Sequence, residues 1–289
     1  MRASSRDGGP RYRRRMTLTR NTAPFGTRPA GVFNFERPRT EGVIYFEDFP
    51  RRIRASFAGE TVVDSRRAKL LHEQGLLPVL YFPEDEVRLD LLEATDHVTH
   101  CPWKGQARHW TLRVGDSVSE NAAWSYPEPI DGAPPVRGHV AFYWDRVDDW
   151  LEEDEPLIGH VRDPYHRVDV LESSRAVRVE LGGALLAETS RPLALFETSL
   201  PTRWYVPRED VRTDLLAPSE KRTICAYKGV ASYHSVRTPA GMAEDLVWFY
   251  PDPRREVAPI RDHLCFFDER VDLFLDGESQ ERPESPWSR

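Results

Sequence analysis

Cys101-Pro102-Trp103-Lys104-Gly105 returns 124 residues later as Cys225-Ala226-Tyr227-Lys228-Gly229, the first sign of a duplicated architecture. The same offset, without a gap, sets Trp124-Ser-Tyr126-Pro127-Glu-Pro129 on Trp248-Phe-Tyr250-Pro251-Asp-Pro253. It also sets Arg146-Val147-Asp148 on Arg270-Val271-Asp272, and Tyr81, Pro83, Val87 and Arg88 on Tyr205, Pro207, Val211 and Arg212. About a third of the positions agree between residues 51–150 and 175–274. The chain therefore holds two copies of one unit. A unit of roughly 100 residues is domain-sized, whereas solenoid repeats of ~20–50 residues cannot fold singly.

The 289 residues suffice for about two domains. Lys and Arg number 40 against 47 Asp and Glu, and the net charge of −7 argues against general nucleic-acid binding. Cys101, Cys225 and Cys265 are too few for a disulfide framework or a four-cysteine zinc site. No apolar run approaches ~18 residues, so no membrane span is expected. Arg11, Arg13, Arg14 and Arg15 precede no apolar segment of the kind a secretory signal needs. A soluble, cytoplasmic protein is the expectation.

Residues 1–50 carry ten Arg and five Asp or Glu, and residues 1–42 read as a basic, disordered arm. Such an arm can touch an acidic partner, or simply be solvated. The first domain is expected over 43–151, with Val43-Ile44-Tyr45-Phe46 docking as an extra strand. The acidic, Pro-ended stretch Leu151–Pro156 opens a linker over 152–173. Within it, Asp163-Pro164-Tyr165-His166-Arg167-Val168-Asp169 should be extended and packed on something. The second domain follows over 174–276, then a polar, loosely held tail over 277–289.

Within each copy the hydrophobic period is two. Ile53, Ala55 and Phe57 alternate with Arg52, Arg54 and Ser56, as Val177, Val179 and Leu181 do before Gly182-Gly183. Trp110–Val114, then Gly115-Asp116, then Ser117-Val118 read as a hairpin. Ser65–Glu73 is the one stretch that reads as a short helix. With 24 Pro and 17 Gly as punctuation, the fold class is mainly β: two tandem antiparallel two-sheet domains, each with a ligand groove between its sheets.

The Cys-Pro-Trp-Lys-Gly and Asn121-Ala-Ala-Trp124-Ser-Tyr126 motifs resemble those of the bacterial domain of unknown function 427 family, which some lists label a nucleotidyltransferase family. The resemblance covers roughly residues 50–150 and 174–275. The linker Asp163–Asp169 and the tail Arg282-Pro-Glu-Ser-Pro-Trp287 are similar to those of tandem-domain members. The resemblance implies a β-tent-like fold, two antiparallel sheets meeting at a steep angle. Relatives of that fold hold zinc between two Cys-x-x-Cys knuckles. Here the spacing stands as Cys101-x-x-Lys104 and Cys225-x-x-Lys228, and a protonated amine does not ligate zinc, so no metal is expected. The label of nucleotidyl transfer finds no Gly-Ser pair with following paired aspartates, and no P-loop.

Lys104-Gly105 and Lys228-Gly229 read in two ways: as an anion-binding turn, or as a hairpin closure with a solvated lysine. Phe196-Glu197-Thr198-Ser-Leu-Pro201-Thr202-Arg203-Trp204-Tyr205 is the more pointed stretch, and it resembles the family pattern of the second domain. Arg203 can clamp a carboxylate or phosphate, and Glu197 can orient it or act as a base. Alternatively, Glu197 and Arg203 form a structural ion pair across a loop. The first copy keeps Glu73 opposite Glu197 but has Val79 opposite Arg203, which favours the second copy as the functional one. Tyr233-His234, Trp248 and Tyr250 can line an aromatic pocket near Lys228, in the groove that Tyr205 also serves, with His109-Trp110, Trp124 and Tyr126 as first-copy counterparts near Lys104; the alternative is that they are core. Cys101 and Cys225 read as buried thiols, or as nucleophiles with a nearby base such as His100 or His139.

Two functions follow. In the first, a groove in the second domain binds a small anionic, partly planar metabolite, with nucleotides among the candidates. Glu197 would be the base of any reaction there. In the second, the tandem copies form a non-catalytic interaction module for a protein or peptide. Convergence of Glu197, Arg203 and Lys228 on one concavity would separate the first from the second.

Overall fold

A computed structural model describes residues 42–74, 76–239, 241–283 and 285, together with 24–25 and 31–34. Almost all of the arm expected over 1–42 lies outside the described residues. The first copy is built from β1 (Ile44–Asp48), β2 (Ile53–Phe57), β3 (Glu60–Ser65), β4 (Lys69–Glu73), β5 (Val79–Pro83), β6 (Leu92–Cys101), β7 (Gly105–Val114), β8 (Ser117–Ser125), β9 (His139–Phe142), β10 (Asp149–Glu152) and β11 (Glu155–Pro156). The second copy follows with β12 (Val168–Glu172), β13 (Val177–Leu181), β14 (Ala184–Thr189), β15 (Leu193–Glu197), β16 (Arg203–Pro207), β17 (Leu216–Cys225), β18 (Gly229–Thr238), β19 (Gly241–Phe249), β20 (His263–Phe266), β21 (Asp272–Leu275) and β22 (Glu278–Ser279).

Each copy has two antiparallel sheets, as the period-two pattern requires. In the first, a seven-stranded sheet in the order β1-β4-β5-β9-β8-β7-β6 faces a four-stranded sheet β11-β10-β2-β3. The second repeats this as β12-β15-β16-β20-β19-β18-β17 and β14-β13-β21-β22. The extra strand expected at Val43–Phe46 is β1, paired with β4. The hairpin expected at Gly115-Asp116 joins β7 to β8.

The stretch 65–73 is not a helix. It ends β3 and forms β4. Leu70 and Leu71 are both buried, but in different clusters. Leu70 packs with Ile53, Phe82 and Phe142 between the sheets, and Leu71 packs with Tyr81 and Ala141 on the other face of the large sheet. A strand covered on both faces shows a continuous apolar run, which imitates a helical stripe.

The linker and tail also carry strands. β11 and β12 lie within residues 152–173, and β22 pairs with β21 inside the expected loose tail. Arg282 and Ser285 of that tail bind Asp272 and Glu269. Between the copies, Tyr165 packs edge-on against His72 at 5.5 Å and donates its hydroxyl to Glu47 at 2.7 Å. Arg162 reaches Glu152 of the first copy and Glu256 of the second. No helix among the described residues is long and apolar enough to cross a membrane.

The large sheets are strongly bent, and the sequence supplies the device. Ladders slip at Ala94/Val98 and Trp110/Leu112, and again at Ser219/Arg222 and His234/Val236. Bulges of this kind add twist and bend. Asn121 and Asp245 hold the left-handed backbone there, at φ 50° and 51°. Their side chains accept from Thr95 and Ser219, at 2.8 and 2.6 Å. Short Asn and Asp side chains tolerate this conformation through such local bonds.

Candidate functional site

The site grows from the β17–β18 turn. Gly229 has φ +110°, and a Cβ there would lie 3.0 Å from the Asp252 carbonyl oxygen. Only glycine meets both constraints without a shift. The Lys228 amide donates to the Cys225 carbonyl, and the Lys228 carbonyl accepts from the Arg254 amide at 3.0 Å. A backbone held at both ends leaves the lysine stem pointing inward.

Lys228 is 6% exposed, and its ammonium pairs with the Glu197 carboxylate. The solvated-lysine alternative is thereby overturned. His166, from the linker, donates Nε2–H to the other Glu197 oxygen at 3.0 Å and stacks on Tyr227 at 4.0 Å. The first copy repeats the core of this arrangement. Gly105 has φ +98°, and Lys104, 4% exposed, pairs with Glu73. The Lys104 ammonium lies 5.6 Å from the Tyr126 ring centre, and the Cys101 thiol donates to Glu73 across 3.8 Å.

Glu197, Arg203, Tyr205, Lys228, Tyr233, Trp248 and Tyr250 line one cavity of about 220 Å³, as does Cys225; His234, the neighbour of Tyr233, faces the other side of its strand and stacks on Phe249 at 4.9 Å. Glu197, Arg203 and Lys228 are its ionised walls. Tyr205, Tyr233, Trp248 and Tyr250 are its aromatic walls. The cavity does not lie between the sheets, where the groove was expected. Arg203 and Tyr205 project from one face of β16, and Trp204 and Val206 from the other. Val206 occupies the place of Phe82, which packs between the sheets, and that space is filled by hydrocarbon. The cavity is instead enclosed by the curl of the seven-stranded sheet on its outer face.

The tyrosines are held in defined roles. Trp248 donates Nε1–H to the Tyr205 hydroxyl at 3.0 Å, and Thr223 and Tyr233 share a hydroxyl bond of 2.7 Å. Burial pushes the Tyr205 and Tyr250 phenols well above the usual tyrosine range, so both remain neutral at physiological pH. Trp248 is thus core and cavity wall at once. Trp124, its counterpart, is half-buried between Tyr81 and Tyr143.

The acids that hold Arg203 were missed in the sequence. Its guanidinium forks onto Glu269 at 2.6 and 3.1 Å and reaches Asp268 at 3.1 Å. The ion pair expected between Glu197 and Arg203 is replaced by two separate pairings: Lys228 on Glu197, and Asp268 with Glu269 on Arg203. Burial pushes the Asp268 carboxyl up to about 6 despite Arg203. Burial also acts on Glu269, but hydrogen bonds from Arg203 and Ser285 outweigh it and hold that carboxyl below its usual range. Arg203 is kept charged by both acids against its own desolvation. The Arg203 guanidinium also sits 5.4 Å from the Trp248 ring centre.

Tyr227, Phe267 and the linker's His160 also line the cavity, as does Leu77 of the first copy. The 124-residue offset places Phe267 on Tyr143 and Tyr227 on Trp103, a repeated aromaticity that was the available signal. His160 and Leu77 had none, because neither lies in a repeated motif.

The donor set does not suit zinc. The fourth place of each Cys-x-x-Lys segment holds an ammonium that is itself paired with a carboxylate. Among the described residues no group of three or more His, Cys, Asp or Glu is placed to hold a metal ion. Cys265 is fully buried, and burial pushes its thiol well above the usual range; Cys101 and Cys225 are half-buried. His139 and His263 face the carbonyls of Arg137 and Arg261 at 3.0 and 2.8 Å and serve the starts of β9 and β20.

None of the curated proteins compared with the chain matches it. A family model described as a domain of unknown function, DUF427, matches residues 45–153 and again 169–277. The two matches coincide with the two pairs of sheets and span more than half of the chain. The chain therefore belongs to the DUF427 family, as a protein with two tandem copies of the domain.

Proposed function

We propose that the second copy binds a small, planar metabolite bearing an acidic group. The observation that carries this reading is the placement of Lys228 and Arg203, both about nine-tenths or more buried, on the walls of one cavity whose other walls are largely apolar and include six Tyr, Trp and Phe rings. Aromatic faces accept a planar ring, and buried cations select a carboxylate or phosphate. Both cations are already countered, Lys228 by Glu197 and Arg203 by Asp268 and Glu269, so an entering acidic group binds by joining or exchanging with these pairings. At about 220 Å³ the cavity falls below the ~300–1,000 Å³ of larger ligand sites. It suits one ring with a short acidic substituent better than a nucleoside triphosphate.

The convergence of Glu197, Arg203 and Lys228 on one concavity supports this reading over an interaction module. Isothermal titration calorimetry with benzoate, nicotinate and nucleoside monophosphates tests it. One of these acids should bind the full chain, and Leu200→Trp, at the half-buried cavity rim, should abolish its heat. Silence from the whole panel, or heats that ignore Leu200→Trp, would remove the proposal.

A further inference from the structure

Cys225 lines the same cavity as Glu197 and Lys228, and this thiol has no part in the binding reading above. In the first copy the corresponding three groups meet: Cys101 donates to Oε1 of Glu73 across 3.8 Å, and Lys104 pairs with Oε2. The two turns are built alike. The Lys amide donates to the Cys carbonyl at 3.3 Å in each, and each is followed by a glycine at positive φ. The carboxylate–ammonium pair recurs in both copies; in the second, Glu197 holds Lys228 and His166, and Cys225 lines the cavity with them without a thiol–carboxylate hydrogen bond among the described residues, so attack requires the thiol to turn toward Glu197.

We infer that Cys225 is a nucleophile toward carbonyl carbon, with Glu197 as its base and Lys228 as the stabiliser of the oxyanion, acting on an amide or ester of a planar acid. The inference rests on the binding reading, since the acid proposed as ligand would be the product.

The steps balance. The Cys225 proton passes to the Glu197 carboxylate as the sulfur pair forms a C–S bond at the carbonyl carbon. The C=O π pair becomes an oxyanion. Protonation of Glu197 leaves the Lys228 ammonium without its partner in a site of low dielectric, and the oxyanion takes that partner's place. The pair thus exchanges one anion for another, and no charge is stranded. Collapse breaks the bond to the leaving amine or alcohol, which takes the proton from Glu197. Water, giving its proton to Glu197, then attacks the thioester and releases the acid; the proton returns to the sulfur. The sum is one amide or ester plus one water giving one acid plus one amine or alcohol. His166, at the other Glu197 oxygen, is a positioning residue.

The test uses the full chain and 4-nitrophenyl benzoate. Nitrophenolate release should show a burst, and peptide mass mapping of quenched protein should place a benzoyl group on Cys225. Cys225→Ala, a small change at a half-buried site, should abolish both with an unaltered circular dichroism spectrum. Glu197→Gln should slow acylation roughly a hundredfold, the scale of general-base assistance. A benzoyl group on lysine or on Cys101 instead, or a burst that survives Cys225→Ala, overturns the inference. Calorimetry with benzoate on the wild type separates the two proposals: binding without acylation sinks the nucleophile alone, while absence of both sinks the binding reading as well.

Discussion

The Lys228 ammonium rests on the Glu197 carboxylate although the two residues belong to opposite parts of one sheet. Glu197 ends β15, and Lys228 immediately precedes β18, four strand spacings away in the sheet order. At ~4.8 Å per strand a flat sheet would hold them about 19 Å apart. Their contact therefore measures the curl of the sheet, and Glu73 with Lys104 measures the same curl in the first copy.

Breaking such a buried pair from one side should cost more than removing both partners. Lys228→Met should destabilise the second copy by about 3–5 kcal/mol, because Glu197 is left buried and charged. The double variant Lys228→Met/Glu197→Leu should recover part of that loss. Urea unfolding followed by tryptophan fluorescence, arranged as a double-mutant cycle, checks both outcomes.

Asp268 should make the protein less stable as the pH rises through the mildly acidic range. Its folded pKa, pushed up to about 6 by burial, stands above an unfolded value near ~3.9. Between these values the native state binds more protons than the unfolded state, so this group's contribution to stability falls with rising pH. Asp268→Asn removes that component. The stability of wild type relative to Asp268→Asn should drop by about 2 kcal/mol from pH 4 to pH 6.5. Urea midpoints at the two pH values decide this; a constant difference would contradict it.

Gly229→Ala should be worse than Gly115→Ala. Both glycines have positive φ, but a Cβ at Gly115 meets nothing within 4 Å, whereas one at Gly229 meets the Asp252 carbonyl at 3.0 Å. Gly115→Ala should cost about 1 kcal/mol from backbone strain alone, and Gly229→Ala about 2–3 kcal/mol. Thermal melts of the two variants provide the ranking.

Tyr165→Phe should loosen the segment between the copies. It removes the hydroxyl bond to Glu47 but keeps the ring against His72. A hydrogen bond to a charged acceptor contributes about 1–2 kcal/mol. Trypsin should cut faster after Arg162 and Arg167 in the variant, with global stability little changed, as read by timed digestion and mass mapping.

Much of the architecture was legible in the residues taken alone. Repetition at one offset identified two copies, and alternation along Ile53–Phe57 and Val177–Leu181 identified strands, because side chains of a strand face opposite sides in turn. The same logic failed at Ser65–Glu73, where burial on both faces erased the alternation. Seven cavity residues were also legible, since aromatic and charged side chains clustered in motifs that both copies repeat.

The information carried by residue order alone is therefore local and repetitive: the strands, the Lys-Gly turns, the duplicated unit. Which charges meet depends on how the folded sheet bends. Glu197 was free on paper to pair with Arg203, six residues on, but β15 and β16 carry the two apart in partner while the curl brings Lys228 to the first and Asp268 with Glu269 to the second. Ion pairing depends on distance in space, and distance in a bent seven-stranded sheet is set by bulges and strand order, which no spacing along the chain encodes.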